Sequence, residues 1–213
     1  MRRHRHTAAR ALTFLFALAT LGLQGCPALI GIGGVAAFSS LEDRRTAGTQ
    51  LEDSGIESRA ITRINERVGE RAHFNVTVYN RAMLLTGEAW DEATRTEIET
   101  IARAVPNVRA ITNEIQVAGL SSATSRANDT VLTARVKGSF LNSKDFSSLH
   151  VKVVTEAAVV YLLGLVTEAE GNAAAELART TSGVRKVVKV FDYCQPTDDL
   201  CRPPAPPKPK PAA

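Results

Sequence analysis

Met83-Leu84-Leu85-Thr86-Gly87 is followed 77 positions later by Val160-Tyr161-Leu162-Leu163-Gly164. Both are apolar runs of strand length that close on a glycine. Upstream of each run, Phe74-Asn75-Val76-Thr77-Val78 aligns with Val151-Lys152-Val153-Val154-Thr155 at the same spacing. Downstream, Val108-Arg109-Ala110-Ile111 aligns with Val184-Arg185-Lys186-Val187 at a spacing of 76, one residue having been gained or lost between. The chain therefore contains one unit twice.

Each copy opens on a helical pattern. In the first, Ile56, Ala60, Ile61, Ile64 and Val68 gather on one face, with Arg59, Arg63 and Arg67 on another. In the second, Asn128 or Asp129 can cap a helix that carries Leu132, Val136 and Phe140. After the two β-rich segments comes a second helix, marked by Ile98, Ile101, Ala102 and Val105 in one copy and by Ala174, Leu177, Ala178 and Thr181 in the other. Thr167-Glu168-Ala169-Glu170 has the capping-box pattern at the start of that helix. A last β segment gives the order α-β-β-α-β, twice, an α+β chain whose small sheets each take two helices on one face. Units of roughly 60 residues are marginal alone, so the bare sheet face either packs on the other copy or meets an outside partner. Gly87 and Gly164 read as structural residues that accept a special dihedral or a close backbone approach. For the large aromatics Trp90 and Tyr161 a core or inter-copy position is expected.

Ahead of the duplication, Arg2, Arg3, Arg5 and Arg10 precede an apolar run from Ala11 to Leu23. This is the pattern of an export signal, and the run is short for a membrane span. Leu23-Gln24-Gly25-Cys26 follows at once and resembles a lipobox, which implies cleavage before Cys26 and acylation of its sulfur; the competing reading is an ordinary signal peptide. Pro27, rather than aspartate, stands after Cys26, which resembles outer-membrane sorting. The formal charge of +4 belongs to the leader, whose four arginines have no acidic counterpart. A near-neutral mature chain gives no reason to expect nucleic acid as a partner. With Cys26 acylated, Cys194 and Cys201 remain as an even pair, read as a disulfide in an oxidising compartment or as two free thiols elsewhere. From Arg202 to Ala213 six prolines exclude regular helix and favour an extended tail.

The order of these parts resembles the BON domain, named for bacterial osmotic-shock and nodulation proteins, in two tandem copies. The resemblance rests on Cys26 and its box, Gly48-Thr49-Gln50, the β-turn-β elements ending at Gly87 and Gly164, Asn128-Asp129-Thr130, and Leu165-Val166-Thr167-Glu168. The expected division is a signal over 1–25, a lipidated N-terminus and linker over 26–53, a first BON domain over 54–117, a linker over 118–127, a second BON domain over 128–193 and a Pro-rich tail over 194–213. The resemblance implies a periplasm-facing, lipid-anchored outer-membrane protein that maintains the envelope barrier, binds anionic phospholipid through its second domain and has no enzymatic activity. The lipid surface it implies lies on the opening helix of the second copy, where a tryptophan follows the Asn-Asp-Thr triplet. Here that position is Val131, which offers less apolar area and no indole N–H. Leu132, Lys137, Phe140, Leu141 and Lys144 supply an apolar ridge with basic flanks; the alternative makes Leu132 and Phe140 core residues and the lysines ordinary solvated groups.

Charge is even across the copies. Residues 128–193 hold eight basic and seven acidic side chains, and 54–117 hold eight and nine. Any lipid preference must then come from local placement, Arg185, Lys186 and Lys189 included, although lysines at a strand edge also discourage edge pairing. Once the leader is removed only His73 and His150 remain, at related places before the first β segments. No HExxH or phosphate-loop pattern occurs and no triad can be named, so neither a cofactor nor a metal is expected. Glu168 and Glu170 read as helix-start residues. The alternative function is a membrane-anchored scaffold that binds an envelope assembly or division protein.

Overall fold

The computed structural model describes residues 43–201; the expected leader, Cys26 and the residues from 202 onward lie outside them. The first copy comprises helix α1 (Ala47–Val68), a 3-10 turn (Gly69–Arg71), strands β1 (Ala72–Tyr79) and β2 (Ala82–Ala89), helix α2 (Glu92–Arg103), and strands β3 (Ala110–Asn113) and β4 (Gln116–Val117). The second comprises α3 (Ala123–Phe140), a 3-10 turn (Ser148–His150), β5 (Val151–Glu156), β6 (Val159–Val166), α4 (Glu168–Arg179) and β7 (Lys186–Tyr193). Among the described residues no helix is long and apolar enough to cross a membrane.

In both sheets the hairpin strands run antiparallel and the last strand joins in parallel, after a helical crossover. β3 and β4 both pair with β2, and the Glu114 amide donates to the Leu85 carbonyl between them. They are two halves of one interrupted strand, so the α-β-β-α-β order holds in each copy.

Period-2 alternation divides each sheet between two cores. Val76, Val78, Met83, Leu85 and Ala89 meet Ile56, Ala60, Ile64, Ile98 and Ala102 of α1 and α2. Val151, Val153, Val160, Leu162 and Val166 meet Val136, Phe140, Ala174 and Ala178 of α3 and α4. The opposite faces form a third core, in which Tyr79 and Leu84 of the first copy pack with Tyr161 and Leu163 of the second, flanked by Val154, Val159, Leu165, Val188 and Val190. The bare sheet faces thus cover each other, and Tyr161 lies between the copies.

Close backbone approach sets both strand glycines. A Cβ on Gly87 would stand 2.0 Å from the His73 carbonyl oxygen, and one on Gly164 would stand 2.3 Å from the His150 carbonyl oxygen. Gly87 also has φ of +120°, a region that L side chains rarely occupy.

Two expectations about the helix starts are corrected. α3 begins at Ala123, inside the expected 118–127 linker, because the Ser122 hydroxyl accepts from the Ser125 amide and caps it earlier than Asn128 or Asp129 would. α1 likewise begins at Ala47, inside the expected 26–53 linker, where Thr46 accepts from the Thr49 amide. Asp129 is buried within α3, and its carboxylate accepts from the amides of Ala157 and Ala158 at 2.9 and 2.8 Å. Asp53 does the same for Asn80 and Arg81, both at 2.7 Å. All four recipients have positive φ, so each hairpin makes a tight turn without glycine, fixed by a carboxylate from the preceding helix.

Candidate functional site

α3 is positioned from beneath. Asp129, Leu132, Val136 and Phe140 recur three to four residues apart and are buried; Phe140 also meets Phe146 edge to face, with ring centroids 5.0 Å apart, which holds the following loop. Leu132 and Phe140 are only 5% and 2% exposed. They are core residues and cannot form the outer ridge expected of them, because the side that completes the second core is not the side that meets solvent. What α3 and its loop do present outward is Val131 at 50%, Leu141 at 74%, and the exposed Lys137 and Lys144. Beside them an open groove of about 570 Å³ runs between the end of α3 and α4, lined by Ser139, Asn142, Ser143, Lys144 and Thr180 among others. Asp145 and Glu176 line the same groove, so its wall carries carboxylates beside the hydroxyls and the Lys144 ammonium.

Trp90 departs from its expected place in a core. It stands 59% exposed just after β2, where the Ala89–Val117 pairing brings β4 alongside, and Val117 and Leu120 are exposed as well.

The seam between the two sheets is polar around its apolar centre. At one margin Asp192 accepts from Asn80 at 2.8 Å and from the Arg109 guanidinium at 2.7 Å. At another the Arg44 guanidinium reaches from ahead of α1 to Glu170 of the second copy in two bonds of 2.7 and 2.9 Å, and donates to the Leu165 carbonyl. Burial alone would raise the Glu170 carboxyl, but Arg44 together with the Thr167 amide and hydroxyl holds it below the usual carboxylate value. Glu170 meanwhile completes the capping box of α4 with Thr167. Arg45 lies over the Tyr79 ring, 3.9 Å from its centroid, and pairs with Asp43 and Asp53. The stretch from Asp43 to Thr46, expected as part of the 26–53 linker, thus straps both copies.

At a third margin His73 and Glu88, cross-strand partners on β1 and β2, face Glu156 at the end of β5. Their ligand atoms lie within 4.8 Å of one another, and His73 Nδ1 is 3.5 Å from Glu88 Oε2. Glu156 accepts from Asn75 at 2.9 Å and Glu88 from the Ser121 amide at 3.2 Å. Burial pushes the Glu156 carboxyl up; the Asn75 bond opposes this and the neighbouring Glu88 adds to it. Tyr161 donates toward Glu114 at 3.5 Å, and its phenol is likewise raised, first by burial and then by the carboxylate. Farther along the chain Cys194 and Cys201 are joined as a disulfide with Cα atoms 6.2 Å apart, closing a short loop after β7.

The BON domain model matches the chain twice, over residues 52–119 and 128–195. The outer membrane lipoprotein DolP of Haemophilus influenzae is 34% identical over 177 residues, 82% of this chain and 92% of that protein. A 21 kDa hemolysin of Actinobacillus pleuropneumoniae is 34% identical over 155 residues, covering 72% and 80%. The osmotically-inducible protein Y of Escherichia coli is 26% identical over 144 residues, covering 66% and 72%.

Proposed function

The chain belongs to the BON-domain family, with two copies of the domain, and on that premise we propose that it is a non-catalytic envelope lipoprotein. It is acylated at Cys26, held in the outer membrane and turned toward the periplasm, where its second BON domain contacts anionic phospholipid and supports outer-membrane integrity. The relatives' printed names and the lipobox support the address. The outward face of α3 carries the lipid reading: Val131 and Leu141 enter the interfacial region while Lys137 and Lys144 meet phosphate groups. Two exposed aliphatic side chains bind weakly by themselves, but the acyl chains keep the domain at the surface, so the contact needs only local affinity.

Vesicle sedimentation tests this. A chain lacking the leader and Cys26 is expected to sediment more with phosphatidylglycerol vesicles than with phosphatidylcholine vesicles, and the excess should shrink with added salt. Equal sedimentation with both would refute the lipid reading. One observation favours a second reading, a scaffold for an envelope protein: Trp90 is exposed on the first domain, and tryptophan is a frequent anchor of protein interfaces. Cross-linking in cells from a photoreactive residue at position 90 should then recover a stoichiometric protein partner, whereas recovery of lipid alone would exclude it.

A further inference from the structure

We propose that His73, Glu88 and Glu156 form a binding site for a divalent first-row transition ion such as zinc, placed across the seam between the two BON domains. His73 and Glu88 come from the first domain and Glu156 from the second, so an ion held there joins the two halves.

The donor set fits that chemistry. One imidazole nitrogen and two carboxylates are nitrogen and oxygen ligands of the kind zinc takes, and their two negative charges neutralise the ion. A tetrahedral zinc places its donors roughly 3.3 Å apart. His73 Nδ1 and Glu88 Oε2 are already 3.5 Å apart, and all three ligand atoms lie within 4.8 Å of one another. These separations exceed the tetrahedral spacing, so the donors draw together when the set closes.

A second observation points to a ligand. His73 Nδ1 is sealed from solvent and has no hydrogen-bond partner, although a buried ring nitrogen facing two carboxylates would ordinarily be bonded. The carboxylates are themselves oriented from outside the cluster, Glu156 by Asn75 and Glu88 by the Ser121 amide. This is the outer layer of hydrogen bonds that fixes metal ligands in place. Both carboxylates are buried, and two negative charges held this close are costly unless a proton or a cation is shared between them. A polar hollow of about 230 Å³ lined by His73, Asn75, Thr133 and Glu156 opens beside the cluster and leaves room for a water as the fourth ligand. Arg126 and Asp129 also line it, but the Arg126 guanidinium is held by the Ser121 carbonyl and Asp129 by the hairpin amides.

The site goes beyond the lipid reading and does not depend on it. The test is zinc titration of the full-length protein in detergent, by competition with a chromophoric chelator, alongside His73→Ala and Glu156→Gln variants and a nearby Glu114→Gln control. The expected result is one zinc bound per chain, with the apparent Kd raised at least tenfold in both variants and unchanged in the control. Zinc should also raise the unfolding temperature of the parent chain and not that of Glu156→Gln, which keeps the side chain's shape and decides the matter if His73→Ala misfolds. Zinc bound equally by parent and variants, no zinc bound, or calcium bound in preference to zinc would each overturn the proposal.

Discussion

At Gly87 a methyl group would collide with the His73 carbonyl while sitting on a backbone angle that alanine avoids, whereas Gly164 faces the collision alone. Gly87→Ala should therefore cost about 3 kcal/mol or more, and Gly164→Ala less, by urea unfolding. Asp129→Ala removes two charge-assisted bonds and leaves two alanines at positive φ without support; a loss of about 3 kcal/mol is expected. Asp53→Ala should cost at least as much, because Asp53 also pairs with the largely buried Arg45, which loses that partner. The glycines were legible in the sequence, since each ends an apolar run. The aspartates were not: an aspartate near the start of a helical stripe satisfies the rule for a cap, and only its match with Asp53, 76 residues earlier and likewise three residues before the first buried apolar side chain, pointed to another duty.

Along α3 the buried and outward faces predict separable phenotypes. Phe140→Ala should destabilise the fold by about 3–5 kcal/mol. Lys137→Glu combined with Lys144→Glu should leave unfolding nearly unchanged while lowering sedimentation with anionic vesicles several-fold. Val131→Trp should raise that sedimentation, because an indole seats well at the headgroup boundary. If the charge-reversal pair binds as the parent does, α3 is not the contact. The family resemblance set 132 and 140 on an outer ridge, and the alternative that makes them core residues is the one the structure shows; three-to-four spacing identifies a stripe without saying which way it faces.

The described residues form a sandwich of two sheets strapped by the segment ahead of α1. Glu170 is held below its ordinary carboxyl value of 4.5, so the stability from its pairing with Arg44 is present above that value and is lost as pH falls through the lower, folded value. Arg44→Ala should cost about 2 kcal/mol at neutral pH and flatten the acid limb of a stability–pH curve. The duplication and the α-β-β-α-β order could be read from the sequence because β alternation and helical stripes are local. The polar margins of the seam, His73 and Glu88 with Glu156 or Arg109 with Asp192, join residues 68 to 83 positions apart, and nothing in linear spacing marks them. The mutual cover of the sheets also bears on how such a chain changes through time. Each half serves as the other's lid, so a replacement at Leu84 or Leu163 is judged by a surface encoded elsewhere in the chain, and a hybrid spliced from the front of one relative and the back of another would inherit an ill-fitting lid even where both parents fold.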